Sequence, residues 1–460
     1  MRIAVLGGGI SGLTAAHHLR RAAETVIFEA RSSPGGTMRT CREQGFIMEW
    51  GPNGFLTNKP WSLELARELG IEARLLRSSD LARKRFVCSG GRLHRLPETP
   101  GQFLASGLLS AAGRLRVLAE PFIAPRRGGE DESVAGFARR RLGPEAMEKL
   151  IEPMTAGVFA GDPDQLSLAS CFPRIRELEQ RYGGLVRAML LLRWERFRQG
   201  ARAEMSAGPG GVLTSFDTGA QALVEVLAGS LAKELRLGAE VEAVSRAGAK
   251  FRVAVKSAGA RAESDFDAVV VAAPAYAAAA MLRGLDQELA VELSGIPYAP
   301  VAVAALGYAA ADLGRPLDGF GFLVPRLEGR KILGALWDSS VFPNRAPQGQ
   351  ALIRVMVGGA RQPELARLPQ AELLAMVRGE LKDLMGLSAQ PALERVFFHE
   401  RGIPQYLKGH GARLERIARR LEALPGLELD SNAYRGVSLN DCVLQSKLAA
   451  QRLLKALAAS

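Results

Sequence analysis

The first twelve residues constrain the fold more than any other stretch of the chain. Residues 3–6 are aliphatic, and they lead directly into Gly7–Gly12, which matches the pattern G-x-G-x-x-G. After this segment the apolar residues follow helical spacing from Leu13 to Leu19. The sequence therefore predicts a strand, a tight glycine turn and a helix. Bare backbone amides at the start of such a helix are suited to binding a pyrophosphate.

Each glycine of the turn has its own predicted role. Gly7 permits the turn, Gly9 lets a phosphate approach the backbone, and Gly12 lets the helix pack closely on the strand. A second strand is predicted at residues 26–28, and Glu29 ends it twenty residues after Gly9. A carboxylate at this place accepts hydrogen bonds from both hydroxyls of an adenosine ribose and repels a 2′-phosphate.

Further glycine-rich loops predict more backbone contact with a cofactor than NAD requires. Residues 31–39 hold a second glycine pair followed by an Arg, and residues 51–54 read Gly-Pro-Asn-Gly. This combination favours FAD, whose flavin and ribityl chain lie near such a loop in two-dinucleotide folds. The predicted cofactor-binding residues are Gly7, Gly8, Gly9, Ile10, Ser11, Gly12, Glu29, Ala30, Gly35, Gly36, Thr37, Arg39, Gly51, Pro52, Asn53, Gly54, Val241, Asn432, Val437, Ser438 and Leu439.

The end of the chain is predicted to return to the cofactor. Residues 427–429 have the pattern of a strand, residues 432–437 that of a loop, and residues 438–457 that of a helix with Ser438 or Asn440 as its cap. The N-terminus of that helix, pointed at the flavin pyrimidine, would stabilise negative charge on the reduced ring.

The length of 460 residues predicts two or three interleaved domains. We expect an α/β fold with a discontinuous Rossmann-like FAD-binding domain, a mixed-sheet substrate domain and a helical membrane-associating insert. Apolar residues at helical spacing carry the prediction of the insert, and a cluster of Gly, Pro and Ser carries that of a linker. The predicted segments are 1–85, 212–280 and 400–460 for FAD binding, 86–198 for the insert, 199–211 for the linker and 281–399 for the substrate.

Several classes of protein are disfavoured by composition. No run of eighteen or more uncharged apolar residues is present, which disfavours a transmembrane helix. We expect no secretory signal and a cytoplasmic location. The four Cys residues are widely separated, which disfavours a zinc site, an iron-sulfur cluster or a disulfide framework, so we expect buried thiols and no metal.

The positive charge predicts an acidic partner. The net charge is +12, and residues 74–200 hold 22 Lys and Arg against 14 Asp and Glu. Aromatic residues interleaved with these charges, as in a nucleic-acid platform, are missing. We therefore expect peripheral association with the anionic inner face of the cell membrane, or an anionic substrate, and no nucleic acid. A solvated basic surface is the alternative. The sequence leaves the oligomeric state open, with a homodimer as one option.

Taken together, the motifs resemble the flavin amine oxidase superfamily, and three stretches resemble its protoporphyrinogen oxidases. These stretches are residues 51–56, 157–167 and 432–442, with further similarity at 319–325 and 342–345. The resemblance implies noncovalent FAD and oxidation of protoporphyrinogen IX to protoporphyrin IX. Six electrons would leave in three steps, with O2 as oxidant and hydrogen peroxide as product.

The resemblance also implies substrate contacts. Arg85 matches an Arg that family members use toward a propionate, Gly157 matches a backbone position of the same cavity, and Leu323 and Trp337 would be apolar walls. The chain departs from the family pattern at Ser33, where an Arg is common and Arg31 or Arg39 would supply the charge. It also departs at Ser431, where a Gly is usual.

Three activities remain open at this point. They are oxidation of protoporphyrinogen IX, oxidation of coproporphyrinogen III, whose four propionates favour a more basic cavity, and the chemistry of an amine oxidase or carotenoid desaturase. We assign no catalytic acid or base, because the cofactor carries the difficult step. The histidines are expected to be structural. Asp131 and Glu132 are expected to be solvated loop residues.

Overall fold

The computed structural model describes residues 1–126, 128–198 and 211–459. The predicted linker at 199–211 lies outside the described residues except for Gly211. The strands are β1 Arg2–Leu6, β2 Glu24–Glu29, β3 Thr40–Glu43, β4 Phe46–Glu49, β5 Phe55–Leu56, β6 Leu75–Arg77, β7 Phe86–Ser89, β8 Arg92–Arg95, β9 Leu213–Phe216, β10 Leu235–Leu237, β11 Ala239–Ala247, β12 Lys250–Ser257, β13 Ala260–Phe266, β14 Ala268–Val271, β15 Tyr298–Ala309, β16 Gly321–Leu323, β17 Gly334–Leu336, β18 Gln350–Gly358, β19 Leu393–Pro404 and β20 Leu427–Leu429.

Helices account for most of the remaining regular structure. They are α1 Ile10–Leu19, α2 Trp61–Glu68, α3 Pro100–Ala105, α4 Ala111–Leu118, α5 Val134–Leu142, α6 Pro144–Ala146, α7 Glu152–Phe159, α8 Leu168–Cys171, α9 Pro173–Tyr182, α10 Leu185–Arg198, α11 Gln221–Ser230, α12 Ala275–Leu282, α13 Gln287–Ser294, α14 Asp338–Val341, α15 Gln370–Met385, α16 His410–Glu422 and α17 Leu439–Ala459. The predicted mixed α/β fold is confirmed.

A parallel sheet forms the first layer, in the order β10-β2-β1-β14-β20. Its strands come from both ends and the middle of the chain, so the sheet is discontinuous in sequence. The strands are almost wholly apolar because both faces are covered. Helices α1, α2, α11 and α17 pack on one face, and the antiparallel sheet β11-β12-β13 packs with α12, α13 and α16 on the other. The carboxyl ends of β1, β2, β14 and β20 therefore share one edge.

A seven-stranded mixed sheet forms the second large layer, in the order β19-β15-β18-β17-β16-β7-β8. Only the β16–β7 pairing is parallel among the pairings of this sheet in the described chain. Helix α15 covers the outer face of this sheet and packs against the buried side chains of that face. Strands β7 and β8 belong to residues 86–95, which the sequence assigned to the helical insert. That assignment was wrong for these ten positions, because their apolar residues complete the sheet edge.

The helical insert, α3 to α10, is fixed by buried charges. Arg141 and Glu120 are fully buried and form an ion pair. The Glu120 carboxylate also accepts hydrogen bonds from the amides of Leu185 (2.8 Å) and Val186 (3.0 Å), at the start of α10. Because first-turn amides have no partner within a helix, this carboxylate holds α10 in place.

Two expectations about polar groups need correction. Asp131 accepts hydrogen bonds from the Ser167 hydroxyl (2.6 Å) and the Gly409 amide (2.8 Å), and Glu132 pairs with Arg140 at 2.8 Å. These carboxylates tie the insert to its surroundings instead of being merely solvated.

The cysteines also differ from expectation in part. Cys88 and Cys442 are buried free thiols, but Cys41 and Cys171 are half-buried. Burial raises the pKa of the Cys442 thiol to about 12, which leaves it protonated and unreactive. Within the described residues, no helix combines the length and the apolar composition needed to cross a bilayer.

Candidate functional site

The glycine turn lies at the shared edge of the parallel sheet, and its geometry excludes side chains. Gly7 has φ of +119°, and a Cβ there would lie 2.5 Å from the Ala272 carbonyl oxygen. A Cβ on Gly12 would overlap the Gly7 carbonyl oxygen. Both glycines are therefore required by close backbone packing between the turn, β14 and α1. The roles predicted for Gly7 and Gly12 agree with this placement.

Gly9 differs from these two glycines because nothing lies within 4 Å of where its Cβ would be. It is the N-cap residue of α1, it provides no side-chain cap, and the first turn of the helix holds no acidic residue. The amides of Ile10, Ser11 and Gly12 thus begin a helix beside open space. This arrangement is a cradle for an anion that approaches the backbone closely.

The second glycine loop packs directly on the first. The Gly35 amide donates to the Gly8 carbonyl oxygen at 2.8 Å, and Gly35 forms an isolated bridge with Gly9. A Cβ on Gly36 would lie 3.7 Å from the Gly9 Cα. Two loops that are separated in sequence therefore bring bare backbone to the same crevice.

Glu29 occupies the end of β2 beside the turn. Its side chain is buried, and its Oε2 accepts from the Gly8 amide at 2.7 Å while Oε1 accepts from the Arg31 amide at 2.9 Å. These bonds fix the carboxylate and leave further lone pairs on both oxygens. Ala30 follows on the surface, and Val241 is buried in the cluster that packs against β2.

Two Arg side chains fold over the second glycine loop. Arg39 donates to the carbonyl and hydroxyl oxygens of Ser33, the latter at 2.6 Å, and Arg31 donates to the Gly36 carbonyl oxygen at 3.1 Å. Burial, then the nearby Arg31 charge, lowers the pKa of Arg39. Positive charge therefore does remain beside the loop, although Ser33 stands where the resemblance led us to expect an Arg.

The third loop leaves β4 and lies against the second. A Cβ on Gly51 would lie 2.6 Å from the Thr37 carbonyl oxygen, and one on Gly54 would overlap the Thr214 carbonyl oxygen. The Asn53 side-chain amide donates to Asp338 Oδ1 at 3.3 Å, at the start of α14 just after β17, and Pro52 precedes it in the half-buried loop. This loop is the place where the cofactor crevice and the mixed sheet meet.

The C-terminal segment brings the start of α17 against α1. Ser438 caps α17, because its hydroxyl accepts from the Asp441 amide at 3.2 Å. Asn440 does not cap the helix; it is buried and bonds to the backbone of Ser62 and Leu56. The Tyr406 hydroxyl donates to the Asn432 carbonyl oxygen at 2.6 Å. Val437 packs against a cluster formed by Val134, Phe159, Leu166 and Tyr406. Leu439 packs with α1.

Gly157 and Leu323 touch each other, although 166 positions separate them. Gly157 lies in α7 of the insert, and a Cβ there would be 2.9 Å from the Leu323 Cδ2 atom. The glycine lets α7 approach the inner face of the mixed sheet closely. The structure thus brings together two residues that the sequence assigned to one cavity.

The strand register adds two residues that sequence reasoning missed. Leu323 pairs with Gly334, which pairs with Met356, and Leu336 pairs with Arg354 on the next rung. Paired residues point to one face, so Leu323, Leu336 and Met356 share the inner face, and all three are only half-buried. Alternation along each strand is the signal that could have revealed them.

Trp337 does not lie on that inner face. It is fully buried, and it packs against Phe86 and Phe322 with ring centroids 5.3 and 6.4 Å apart. These residues belong to the cluster beneath α15, on the outer side of the sheet. The resemblance implied that Trp337 is a cavity wall, but its neighbour Leu336 occupies the inner face.

Arg85 lies just before β7 at the end of the inner face. Its guanidinium carbon is 5.6 Å from the centroid of the Phe320 ring, and the side chain is half-buried. It forms no ion pair within the described part of the chain, whereas neighbouring Lys84 pairs with Asp318 at 3.0 Å. Burial lowers the pKa of Arg85, and the nearby Glu98 charge opposes this lowering only in part.

A sequence model described as flavin containing amine oxidoreductase matches residues 10–454. The chain belongs to this family. It is an oxidoreductase with FAD as cofactor, and the two predictions, the family and the cofactor, are confirmed.

Relatives across nearly the whole chain narrow the similarity. Coproporphyrinogen III oxidase of Bacillus subtilis (strain 168) is 30% identical over 97% of this chain and 96% of its own. Chloroplastic protoporphyrinogen oxidase of Oryza sativa subsp. japonica is 31% identical over 95% and 85%. A crystal structure from Exiguobacterium sp. 255-15, assigned provisionally as a protoporphyrinogen oxidase, has a TM-score of 0.84 and 26% identity, with 98% of both chains covered.

The residues of the crevice fit the FAD of this family. Open space at Gly9 would accept a pyrophosphate, the Glu29 carboxylate would accept from a ribose, and the loops at Gly35 and Gly51 would offer backbone to the rest of the dinucleotide. The α17 N-terminus, beginning at Leu439, would complete this set from the far end of the chain.

The histidines of this flavoenzyme are structural where their contacts are defined. His399 Nε2 lies 2.9 Å from the Trp50 carbonyl oxygen, and His410 Nε2 lies 3.1 Å from that of Tyr434. Burial lowers the pKa of both imidazoles, which favours their neutral forms. His17 and His18 lie near Glu68 in the last turn of α1, at the opposite end of the helix from the glycine turn.

Proposed function

We propose that this flavoenzyme oxidises protoporphyrinogen IX to protoporphyrin IX in haem biosynthesis. Three O2 molecules would be reduced to three H2O2 as the macrocycle loses six electrons and six hydrogens. The observation that carries the proposal is the contact between Gly157 and Leu323. This contact joins residues 157–167, the segment that carries the resemblance most specifically, with the inner face of the mixed sheet. It lies next to the loop that borders the cofactor crevice.

The bound FAD supplies the electron acceptor for a hydride from a meso-methylene carbon. The chain's own residues would bind and orient the macrocycle. Leu323, Leu336 and Met356 form an apolar wall suited to a flat, largely apolar ring system, and such a wall excludes water from the reacting carbon. We propose that Gly157 keeps α7 close enough to shape the opposite side.

Arg85 is proposed to bind a propionate of the substrate. A half-buried guanidinium that forms no direct ion pair among the described residues is costly in the free protein, and a carboxylate would satisfy it through two parallel hydrogen bonds. This arrangement would hold one edge of the macrocycle while the opposite edge meets the cofactor.

Coproporphyrinogen III is the second candidate substrate, because the Bacillus subtilis relative carries that activity in its name. Its four propionates would need more unpaired cations at the cavity. Near the wall, Lys84, Arg354 and Arg361 are already paired with Asp318, Asp338 and Glu152. Charge therefore favours the substrate with two propionates.

Side-by-side turnover of both porphyrinogens, followed by the fluorescence of the porphyrin formed, tests this proposal. We expect kcat/KM for protoporphyrinogen IX to be higher by about tenfold or more, which corresponds to about 1.4 kcal/mol. A higher value for coproporphyrinogen III would exchange the two candidates. Absence of turnover with either, in flavin-loaded protein, would refute porphyrinogen oxidation.

We also propose that the insert rests on the anionic inner face of the cell membrane. Its side chains include exposed apolar groups, with Phe122 86% and Leu115 67% exposed, and Met189 and Trp194 on α10 are exposed as well. Apolar groups among Arg residues suit a lipid surface of negative charge. The alternative is a basic surface that is only solvated and does not bind lipid.

Partition to vesicles separates the two possibilities. The protein should bind vesicles with anionic lipid, and salt should release it. Phe122→Ser should weaken binding, whereas Phe398→Ser, at an exposed position of β19, should not. Equal partition of wild type to neutral and anionic vesicles would mean that the charge of the insert is not the cause.

A further inference from the structure

Arg354 of β18 joins the mixed sheet to the loop that follows β4. Its side chain is buried, with 2% exposure of the residue. The Nη1 atom donates to the carbonyl oxygens of Glu49 at 3.1 Å and Gly51 at 3.0 Å, while Nε donates to Asp338 Oδ2 at 2.8 Å and Nη2 to Oδ1 at 3.3 Å. One guanidinium therefore holds two loop carbonyls and one fully buried carboxylate.

The same loop is held at a further point by the same carboxylate. Asp338 Oδ1 also accepts from the Asn53 side-chain amide at 3.3 Å. On the other side of the loop, Gly51 packs against Thr37, which follows the glycine pair that borders Gly9. The loop is thus a thin layer between the cofactor crevice and the inner face of the sheet.

The position of Arg354 on that face is set by register. It pairs with Leu336 on β17, and Met356 follows two residues later on the same face. Arg354 is thus directly beside two of the three wall residues. A shift of its side chain would change the separation between the wall and the loop.

Stability alone does not account for a buried ion pair at this place. Apolar side chains of similar volume often stabilise a core as well as an ion pair does. A planar guanidinium, in contrast, fixes direction, because its donors leave in set directions within one plane. This property suits a side chain that holds the loop after β4 at a fixed distance from the sheet.

We propose that Arg354, oriented by Asp338, is a positioning residue for the oxidation. It sets the distance between the loop at the cofactor and the apolar wall, and through them the approach of the substrate carbon to the cofactor. The inference rests on the proposed function for its substrate. Its claim about the loop rests only on the FAD cofactor and the contacts above.

Arg345 offers a matched comparison within the same junction. It is also buried, and it donates to the Glu49 carboxylate at 3.3 Å, the Ser215 hydroxyl at 2.8 Å and the Phe216 carbonyl oxygen at 3.2 Å. It bonds to neither the Glu49 nor the Gly51 carbonyl oxygen. Lys at either position removes a planar fork and keeps a charge, but only R354K releases the loop backbone.

The test compares flavin-loaded R354K and R345K with wild type. The rate of anaerobic flavin reduction by saturating protoporphyrinogen IX should fall by about tenfold to hundredfold in R354K, since misplacement by about 1 Å has such effects. KM should change less than about threefold, and the flavin absorption spectrum should shift. In R345K the rate should stay within about threefold and the spectrum should be unchanged.

Equal rate losses in the two variants, in proportion to their losses in thermal stability, would overturn the inference. If R354K does not fold, Asp338→Asn takes its place, since it keeps the shape of the side chain while it weakens the fork. If wild type does not oxidise protoporphyrinogen IX, the proposed function fails, and the flavin spectra then test the inference. Identical flavin spectra in R354K and R345K would refute it.

Discussion

The two sides of the proposed active centre are built from different materials. The cofactor side consists of backbone: three glycine loops and two helix N-termini, in which a Cβ at Gly7, Gly12 or Gly51 would approach a carbonyl oxygen too closely. The substrate side consists of side chains on β16, β17 and β18, with α7 above them. On the cofactor side, close backbone contacts exclude additional side-chain atoms. On the substrate side, one side chain can be replaced by another of similar volume.

The difference teaches where each side tolerates change. At Gly7, Gly12 and Gly51 the backbone leaves no room for a methyl group, because its carbon would meet a carbonyl oxygen, whereas Gly9 has open space at this position. An apolar wall can exchange Leu for Met at little cost in stability, since total volume is preserved. Variation in substrate should therefore arise on the wall, while the cofactor side stays fixed.

The largest effect should follow Gly12→Ala. Its new Cβ would overlap the Gly7 carbonyl oxygen, so the turn and α1 cannot keep their contact. We expect the purified protein to lose essentially all bound flavin, as measured by absorbance after gel filtration. Gly229→Ala in α11, where a Cβ meets nothing, is the control and should retain full flavin. Normal flavin content in Gly12→Ala would contradict the backbone account.

A smaller and more selective effect should follow Gly9→Ala. The residue has ordinary extended backbone and open space at its Cβ, so the apoprotein should keep its melting temperature. The methyl group would occupy the approach of a pyrophosphate, and FAD affinity should fall by about a hundredfold. Fluorescence titration of the apoprotein with FAD measures this. Unchanged affinity would move the pyrophosphate away from Gly9.

On the substrate side, Arg85→Ala should chiefly raise KM for protoporphyrinogen IX. A charged hydrogen bond contributes about 1.5–3 kcal/mol, which is about a tenfold to hundredfold effect when it is made equally in ground and transition states. Arg85→Lys should recover part of the loss, because the charge remains without the fork. Arg83→Ala, at an exposed neighbour, is the control. An unchanged KM with normal flavin content would place the propionate elsewhere.

The smallest effect concerns a side chain on the cofactor side. Asp430 follows β20 and is 2% exposed, and burial raises its pKa to about 7, against the opposing effects of Ser446 and Arg452. Its pKa is higher in the folded than in the unfolded protein, so its contribution to stability is full below about pH 4 and is lost as pH rises toward 7.

Between about pH 6 and about pH 8, this loss should be about 1 kcal/mol in the free energy of unfolding. Asp430→Asn should remove it, whereas Asp312→Asn, at an exposed position, should not. Denaturant unfolding at the two pH values, at one FAD concentration, provides the measurement. The same pH dependence in Asp430→Asn and wild type would refute this assignment.

Much of the cofactor side could be predicted from sequence because its signals are local. Gly7 to Gly12, Glu29 and the helix cap at Ser438 each lie within a short segment with its own pattern. The predicted division of the chain put residues 86–95 in the helical insert, whereas they form β7 and β8 at the edge of the mixed sheet. A boundary drawn between short segments depends on which sheet the strands join, and that is not a local signal.

The substrate side was predicted less well because its contacts depend on register. Alternation groups Leu336 and Met356 with their own strand neighbours, but only the pairing between strands shows that they share a face with Leu323. Trp337, taken for a wall by resemblance, lies on the other face. A shift of one position exchanges the two faces of a strand. Gly157 and Leu323 were found by resemblance, and only the fold shows that they touch.

The central claim is that the wall and the cradle face one reaction: transfer of electrons from a porphyrinogen to the bound FAD. Anaerobic mixing of the flavin-loaded protein with protoporphyrinogen IX tests it most directly, with flavin absorbance and porphyrin fluorescence recorded together. We predict that the flavin absorbance bleaches on mixing and recovers when O2 is admitted, with porphyrin formed. Flavin that stays oxidised in the presence of excess porphyrinogen would contradict the account.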